Sequence, residues 1–488
     1  MAARTFQSHN PVDGSVIDTH RIFTQKDVNN AVDTARDASE YWISLGFAGR
    51  RKVLARFSSL IIDRIESIAA LVSLETGKPV SDAKLEVSLA AGHIAWASRN
   101  AARFLRTQSR SSGLLLANMS AKIEHSPLGV VGIIGPWNYP IFTPIGSIAY
   151  ALAAGNTVVF KPSEYTPGVG NLLSALFHEA SGRDDIFICI TGLGDTGRAL
   201  CESGVNKVAF TGSTRTAKAV AAICAQSLTP VILECGGKDP VIVADDADLE
   251  RAADAAVWSA FSNAGQTCIG AERIYVHSSV AEKFSQIVVA KAQEIKAGDP
   301  NEGNYGPATM PSQIAIIEGH IKDALKRGGK ALLGGKESVQ APYVQPVILA
   351  NVPEDSTAMT EETFGPTIVI NTFETIDEAI ALANASRYGL GASVWSRKSG
   401  KKIASRLECG MVSVNSVIAF AGVHDLPFGG VKDSGYGRIH GREGLLEFTY
   451  PRSVVSTRFY LPLNFTSFSR TAKIDSLIVK MTKVVKGR

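Results

Sequence analysis

The sequence predicts an α/β protein with two lobes, each built around a mostly parallel sheet. Between Leu128 and about Cys235, apolar runs rich in β-branched residues alternate with helical runs, beginning VVGIIG, SIAYALAA, TVVF and NLLSALFHEA. A second alternation of the same kind extends from Lys238 to about Lys432. This βαβ rhythm is typical of parallel sheets with helices on both faces. The chain has 488 residues, well above the roughly 150 of one domain, so each alternation can bury its own core.

The region that precedes the first alternation is predicted to be helical from Thr24 to about Thr107. A capping-box pattern from Thr24 to Asp27 indicates a helix start, and apolar residues then recur at spacings of three and four. The sequence GKP at 77–79 predicts a break between two helices.

The first alternation opens with a run, 126–160, that contains no Asp, Glu, Lys or Arg. About 20 apolar residues cross a bilayer, so a membrane span is one interpretation. Prolines and glycines interrupt the run repeatedly, however, and exclude a single unbroken helix. The better interpretation is a buried crossover, with a strand at 128–134, a tight loop at 135–140, a helix at 144–154 and a strand at 157–160.

Charge and cysteine spacing exclude several classes of function. Lys and Arg number 50 and Asp and Glu number 46, so the formal charge of +4 predicts no nucleic-acid partner. The amino-terminal residues lack the apolar core of a secretory signal. The cysteines form no CxxC pair and the histidines no zinc-binding pattern. We therefore expect reduced thiols, a cytoplasmic location and no metal site.

The last residues of the chain form a basic amphipathic segment. Residues 470–488 hold six Lys or Arg and one Asp, so the rest of the chain is nearly neutral. Two partners fit a helix of this kind: its own or a neighbouring subunit, or an anionic membrane surface. The apolar stripe consists of Ile474, Leu477, Ile478, Met481, Val484 and Val485.

Two turns in the first lobe match phosphate-binding patterns. GLGDTG at 192–197 lies between a predicted strand and a predicted helix, as in dinucleotide-binding sites. FTGS at 210–213 has the same setting, where backbone N–H groups at a helix start can bind a pyrophosphate. Each pattern alone is equally compatible with an ordinary helix start.

Cys268 and Glu234 are the candidate reactive side chains. Cys268 lies in the small polar loop NAGQTCIG, whereas most other cysteines fall within apolar periodic runs. A nucleophilic thiol needs a base or an electropositive setting, and no histidine lies near it in sequence. Glu234 ends an apolar strand, where a solvent-facing carboxylate is the alternative.

Seven motifs follow one another along the chain: GPWNYP (135–140), KPSE (161–164), FTGS (210–213), ECGGK (234–238), GQTC (265–268), EETFGP (361–366) and PFGGVKDSGYGR (427–438). In this order and spacing the sequence resembles the aldehyde dehydrogenase superfamily up to about Tyr460. The resemblance implies two Rossmann-like lobes, one cofactor-binding and one catalytic, and a small β oligomerisation arm. The implied limits are 1–108 and 128–236 for the cofactor-binding domain, 237–433 for the catalytic domain, 109–127 and 447–461 for the arm, and 462–488 for the basic tail.

The resemblance implies a covalent mechanism. Cys268 attacks the aldehyde as a thiolate, because the trigonal carbon releases hydride only after addition has placed negative charge on oxygen. Asn138 and the backbone N–H of Cys268 hold that oxyanion. Glu234 is the general base for the water that hydrolyses the thioester, which favours a hydrolytic member over one that acylates CoA.

The resemblance also implies a nicotinamide cofactor. A carboxylate such as Glu164 bonds a ribose 2′-hydroxyl and repels a 2′-phosphate, so NAD is expected, with NADP as the alternative because Arg215 and Lys218 lie nearby in sequence. The implied cofactor residues are Trp137, Lys161, Ser163, Glu164, Gly194, Phe210, Gly212, Ser213, Glu362 and Phe364.

Several departures from the family pattern bear on the substrate. Gly146 stands where semialdehyde-specific members often carry an arginine, and Ile439 and His440 follow Arg438 where many members carry a glutamate. We expect a medium-chain aliphatic or aromatic aldehyde, oxidised by a homodimer or homotetramer. The alternatives are a succinate-semialdehyde-type dehydrogenase that prefers NADP and, in another class, a catalytically silent structural or binding protein. The substrate pocket is predicted to include Tyr139, Phe142, Ile269 and Phe428.

Overall fold

The computed structural model describes residues 4–461, 465 and 467–486. Of the predicted tail, 462–488, the residues 462–464, 466, 487 and 488 lie outside the described residues. The helices are α1 (Gln25–Ser44), α2 (Gly46–Asp63), α3 (Ile65–Thr76), α4 (Val80–Leu105), α5 (Phe142–Ala154), α6 (Pro167–Ser181), α7 (Gly194–Glu202), α8 (Thr214–Ala225), α9 (Leu249–Phe261), α10 (Ser278–Gln293), α11 (Ser312–Lys326), α12 (Thr357–Thr360), α13 (Ile376–Asn384), α14 (Gly400–Ala404), α15 (Ala419–Gly422), α16 (Gly441–Glu447) and α17 (Ala472–Lys486). The strands are β1 (Thr5–His9), β2 (Val16–Arg21), β3 (Gln108–Arg110), β4 (Met119–Pro127), β5 (Val130–Ile134), β6 (Thr157–Lys161), β7 (Phe187–Cys189), β8 (Lys207–Thr211), β9 (Val231–Glu234), β10 (Asp239–Val243), β11 (Ala271–His277), β12 (Lys330–Leu333), β13 (Val339–Gln340), β14 (Tyr343–Val344), β15 (Val347–Ala350), β16 (Thr367–Phe373), β17 (Tyr388–Gly389), β18 (Gly391–Trp395), β19 (Met411–Val414), β20 (Val431–Lys432), β21 (Gly435–Tyr436) and β22 (Thr449–Thr457).

The first alternation of strands and helices forms a six-stranded sheet in the order β21-β9-β8-β5-β6-β7. Strands β5 to β9 pair in parallel. β21 comes from a segment that the predicted domain limits leave unassigned, and it adds an antiparallel edge strand beside β9. The second alternation forms a seven-stranded sheet in the order β12-β15-β16-β11-β10-β18-β19, parallel except for β12. The predicted α/β fold with parallel sheets is therefore confirmed.

The uncharged run has the predicted order of elements. β5 and β6 are adjacent parallel strands, and α5 connects them. α5 is buried from Pro144 to Ala154, so a charge at almost any position would have to be desolvated. Among the described residues, no helix is both long and apolar enough to span a membrane.

The amino-terminal helices pack over this crossover. The Thr24 and Asp27 capping box begins α1 as predicted. Gly77 ends α3 in a left-handed conformation, with φ of 78°, and Pro79 precedes α4, so the predicted break is confirmed. The indole of Trp42, fully buried on α1, donates a hydrogen bond of 3.0 Å to the carbonyl of Leu152 on α5. This bond joins the first helix to the helix of the crossover.

A separate three-stranded antiparallel sheet has the order β22-β4-β3. β22 pairs with β4 over nine residues, from Thr449 opposite Pro127 to Thr457 opposite Met119. The side chains of β22 are mostly exposed, including Val455 at 58%. The segments predicted as an arm thus form strands of one small sheet.

Helix α17 lies beside the short 3₁₀ turn at Leu114–Leu116. Its stripe is half-buried at Ile474 and Met481 but exposed at Val484 (67%). Lysines of the opposite face are exposed at 473, 480 and 483. Within one chain, the apolar stripe is therefore only partly covered.

Candidate active site

Side chains from both lobes line one cavity of about 120 Å³ that opens to solvent. Cys268 and Glu234, the two candidate reactive residues, both line it. So do the four predicted pocket residues, Tyr139, Phe142, Ile269 and Phe428. Further apolar walls come from Leu85, Leu89, Trp258, Leu390, Ile418 and Ile439. The cavity is therefore a mostly apolar chamber with a thiol and a carboxylate in its wall.

Cys268 lies in the loop between α9 and β11. Two residues of the preceding turn, Asn263 and Ala264, have positive φ values of 53° and 57°, a conformation that non-glycine residues rarely adopt. Burial raises the pKa of the Cys268 thiol, and the carboxylates of Glu362, Asp239 and Glu234 raise it further. The thiol is therefore neutral in this state, and a base is needed to ionise it.

Glu234 is the last residue of β9. It is 3% exposed, and neither carboxylate oxygen has a hydrogen-bond partner among the described residues. Burial raises the pKa of Glu234 well above its usual value, against a smaller opposite effect of Arg438. An unpaired buried carboxyl group with a raised pKa is typical of a catalytic acid or base.

Asn138 immediately precedes Tyr139 in the loop that follows β5. Its side-chain amide donates a hydrogen bond of 2.9 Å to the carbonyl of Gln266, two residues before Cys268. The hydroxyl groups of Tyr139 and Thr267 are 2.9 Å apart. Of this loop, the cavity lining contains Tyr139 and not Asn138. The loop and the Cys268 segment are thus joined directly, with one amide N–H of Asn138 in use.

A buried ion pair that the sequence analysis missed supports the same loop. Lys78 Nζ lies 2.6 Å from Glu86 and donates a second hydrogen bond, of 2.7 Å, to the carbonyl of Asn138. Glu86 in turn accepts hydrogen bonds from the backbone N–H groups of Ile141 and Phe142. Both charged side chains are at most 1% exposed. In the sequence, Lys78 lies in the GKP break and Glu86 lies eight residues later in the predicted helix, and no local pattern marked either one.

The implied ribose-binding residues lie at the carboxyl end of β6, where ligands bind in open α/β sheets. Lys161 ends the strand and is 4% exposed, and its Nζ donates a hydrogen bond of 2.9 Å to the carbonyl of Pro162. The Glu164 carboxylate lies 3.9 Å from Lys161 Nζ and is 43% exposed. Ser163 donates a hydrogen bond of 3.4 Å to Glu164.

The two predicted phosphate turns both precede helices. Gly194 begins α7, and a Cβ added there would meet no atom within 4 Å. Ser213 is the N-cap of α8, and Gly212 lies against the ring of Phe210, the buried residue before Thr211 in β8. Both turns thus present helix N-termini at the same edge of the sheet.

The remaining implied cofactor residues form a group at the cavity's side. The rings of Trp137 and Phe364 pack edge to face with centroids 5.5 Å apart. Glu362 accepts a hydrogen bond of 3.0 Å from the backbone N–H of Gly237, and burial raises the pKa of its carboxyl group to about 8. None of these three implied cofactor residues is among the described residues that line the cavity.

The sheet edge fits a dinucleotide. It offers a buried lysine with an adjacent carboxylate for a ribose, two helix N-termini for a pyrophosphate, and the open space at Gly194. Across the described ranges, no group of three or more His, Cys, Asp or Glu side chains could hold a metal ion.

Parallel α/β sheets with a thiol and a carboxylate in a shared cavity, beside a dinucleotide-type edge, are typical of pyridine-nucleotide-linked oxidoreductases. The chain belongs to the aldehyde dehydrogenase family, whose sequence profile matches residues 1–454. It is an oxidoreductase of this family, and its neighbours among solved structures include NAD-dependent and NADP-dependent enzymes.

Relatives with different substrates match nearly the whole chain. The 4,4'-diapolycopene aldehyde oxidase of Methylomonas sp is 37% identical, covering 94% of this chain and 87% of the relative. The succinate-semialdehyde dehydrogenase [NADP(+)] of Deinococcus radiodurans is 34% identical, covering 92% and 94%. The crystal structure of an NAD-dependent aldehyde dehydrogenase from Sinorhizobium meliloti has a TM-score of 0.91 and 35% identity, covering 95% of this chain and 93% of that one.

Proposed function

We propose that the protein oxidises an apolar aldehyde to its carboxylic acid with NAD+, through a covalent intermediate on Cys268. One observation carries the proposal: Cys268 and the unpaired carboxyl group of Glu234 line the same, otherwise largely apolar cavity. An apolar chamber holds a medium-chain aliphatic or aromatic aldehyde by burying its surface.

In the first half of the reaction the Cys268 thiol loses its proton to Glu234, and the thiolate adds to the aldehyde carbon. A sulfur–carbon bond forms and the carbonyl oxygen becomes an oxyanion. Asn138 stabilises that oxyanion once its amide turns from the Gln266 carbonyl, or through its second N–H. NAD(P)+, when bound, would supply the acceptor for the hydride of the thiohemiacetal carbon, and a thioester on Cys268 would remain.

In the second half Glu234, having passed its proton to solvent through the cavity mouth, removes a proton from water. The resulting hydroxide attacks the thioester carbon, the carbon–sulfur bond breaks, and the acid leaves. A base whose pKa is raised by burial suits this step, because its affinity for the proton is greater than that of an exposed carboxylate.

Lys161 and Glu164 would hold the adenosine ribose, and the starts of α7 and α8 would hold the phosphates. The exposed Glu164 carboxylate bonds a 2′-hydroxyl and repels a 2′-phosphate, which favours NAD. Of the two nearby cations considered for a 2′-phosphate, Lys218 already lies 3.4 Å from Asp433, whereas Arg215 is exposed.

The substitution Cys268→Ser tests the proposal. We expect aldehyde-dependent NADH formation, followed by absorbance, to fall about a thousandfold or more. The matched control is Cys409→Ser, whose partly buried thiol hydrogen-bonds the carbonyl of Met411, and it should keep full activity. Undiminished turnover by the Cys268→Ser protein would exclude the covalent mechanism, and absence of turnover in the unmodified protein would favour a catalytically silent binding protein.

A second candidate is an NADP-preferring succinate-semialdehyde dehydrogenase, the activity in the name of the Deinococcus radiodurans relative. Steady-state kinetics with aliphatic, aromatic and semialdehyde substrates, each with NAD and NADP, separates the two. A higher kcat/KM for succinate semialdehyde with NADP would replace our proposal.

The arm and the tail suggest further partners. β22 is an edge strand of its sheet, so a second copy can pair with it in a homodimer or homotetramer, which sedimentation would measure. The partly exposed stripe and exposed lysines of α17 fit an anionic membrane surface. Deleting residues after Leu461 should abolish binding to anionic liposomes, and a full-length protein that never binds them would refute this contact. A cytoplasmic location stays a prediction.

A further inference from the structure

The cavity that contains Cys268 also contains a buried histidine that the proposed mechanism does not use. His440 is 1% exposed and lines the cavity. Neither ring nitrogen has a hydrogen-bond partner within the described ranges of the chain. A neutral imidazole has one N–H and one lone pair in the ring plane, so it offers both a donor and an acceptor. Leaving both unused in a buried place costs free energy, which a ligand in the cavity can recover.

An aromatic box fixes the position of this imidazole. It stacks on His93, with centroids 3.7 Å apart and an angle of 27° between the rings. The rings of Phe142 and Phe428 lie 5.6 Å and 5.4 Å away. Burial, together with repulsion from His93 and His424, holds the pKa of His440 well below its usual value. The box therefore holds a neutral imidazole in one orientation, with both ring nitrogens buried in the cavity wall.

The backbone at His440 is strained. Its φ of 64° and ψ of 165° place it in a region that is essentially restricted to glycine, at a cost of about 1–3 kcal/mol. The neighbouring Ile439 is held in place by two backbone hydrogen bonds with Phe428, of 2.7 Å and 2.9 Å. This clamp directs the residue after Ile439 into the wall of the cavity.

The imidazole occupies the space that a side chain at position 146 would need. A Cβ added to Gly146 on α5 would lie only 2.4 Å from His440 Nε2. α5 therefore cannot place a cationic side chain here while His440 is present. Lys78, the one Lys or Arg among the described lining residues, is already paired with Glu86. A carboxylate on a substrate would find no free cation in this wall.

We propose that His440 is a specificity-determining residue, whose imidazole hydrogen-bonds an uncharged polar group of the substrate, such as a hydroxyl, remote from the aldehyde carbon. The same arrangement discriminates against an aldehyde that carries a carboxylate in that place. This inference rests on the proposed function, because it assumes that an aldehyde occupies the cavity.

Matched substrates of one chain length test the inference. The probes are n-alkanals, ω-hydroxyalkanals and ω-oxoalkanoates of six, eight and ten carbons, which differ only in the terminal methyl, hydroxyl or carboxylate group. For at least one length, the unmodified enzyme should prefer the hydroxyl to the methyl substrate in kcat/KM and should use the carboxylate least. His440→Phe should lower the ratio of hydroxyl to methyl substrate about tenfold, the effect of one hydrogen bond. His440→Gln, which keeps a neutral donor and acceptor, should retain much of that ratio.

The matched control is His424→Phe, since His424 belongs to the same cluster of histidines but is not among the cavity-lining residues. Its ratios should equal those of the unmodified enzyme. A ratio unchanged by His440→Phe at every chain length would overturn the inference, as would a preference for the carboxylate. If no alkanal is oxidised in a Cys268-dependent way, the proposed function fails instead, so the two failures are distinguishable.

Discussion

Glu234 and Glu164 are carboxylates near the same edge of the six-stranded sheet, in opposite environments. Glu234 is 3% exposed with no hydrogen-bond partner among the described residues, whereas the side chain of Glu164 is 43% exposed and lies near Lys161. Burial raises the pKa of Glu234 well above its usual value. The difference teaches that the buried carboxylate is suited to transferring protons and the exposed one to discriminating a neighbouring charge. Substitution of Glu234 should therefore change the activity more than substitution of Glu164.

The largest effect is expected for Glu234→Gln. The amide cannot take up a proton, so kcat should fall about a hundredfold to ten-thousandfold, the usual contribution of a general base. Rapid-mixing kinetics should show NADH formed in a slowed burst of about one equivalent per active site, because the thioester accumulates. A steady-state rate equal to that of the unmodified enzyme would contradict the role of Glu234 and the comparison with it.

Glu86 extends the comparison, because its side chain is as buried as that of Glu234 but is paired with Lys78. Lys78→Met removes that partner, and leaving a buried charge unpaired costs about 3–5 kcal/mol of the free energy of unfolding. Urea denaturation measures this loss, and kcat should fall as well because the Asn138 carbonyl loses its bond to Lys78.

The control for that variant combines Lys78→Met with Glu86→Gln. The neutral amide still accepts hydrogen bonds from Ile141 and Phe142, so most of the stability should return. If the single and double variants unfold at the same urea concentration, the ion pair does not contribute as the structure indicates.

The pH dependence of kcat/KM is the next expected effect. Burial raises the pKa of both Cys268 and Glu234, and the deprotonated forms are the active ones. Activity should therefore rise with pH above neutrality, by about tenfold per unit where one deprotonation limits the rate. Glu164→Gln should leave the profile in place, and Glu234→Gln should remove the part that depends on Glu234 and leave the part that depends on Cys268. A profile that falls as the pH rises would contradict the assignment.

The smallest effect is expected from Glu164→Gln on cofactor choice. Removing an exposed charge about 4 Å from a 2′-phosphate is worth about 1 kcal/mol, so the ratio of kcat/KM with NADP to that with NAD should rise about fivefold. The control is Glu202→Gln, an exposed carboxylate on α7 that pairs with Arg198. Equal ratios in the unmodified enzyme and in both variants would show that Glu164 does not discriminate between the 2′-hydroxyl and the 2′-phosphate of the cofactor.

Local sequence correctly predicted the crossover and the helix break at Gly77 and Pro79. A helix buried along its length must be uncharged, and the break before α4 needs only Gly77 and Pro79. The cavity residues were predicted through the resemblance to a family, since nothing local distinguishes a reactive thiol from a structural one. The Lys78–Glu86 pair was missed because its meaning depends on Asn138, 60 residues away from Lys78.

The sequence by itself determined the two α/β lobes, the uncharged crossover, the basic tail and, through its motifs, the family. The lobes, the crossover and the tail depend on periodicity and composition, which act over a few residues, whereas the family was identified by the resemblance of seven motifs. Only the tertiary structure decided that Glu234 has no hydrogen-bond partner in the part of the chain that the structure describes, that Lys78 supports the Asn138 loop and that His440 fills the space over Gly146. Desolvation and steric exclusion depend on which distant segments meet, and no local pattern in the chain encodes that.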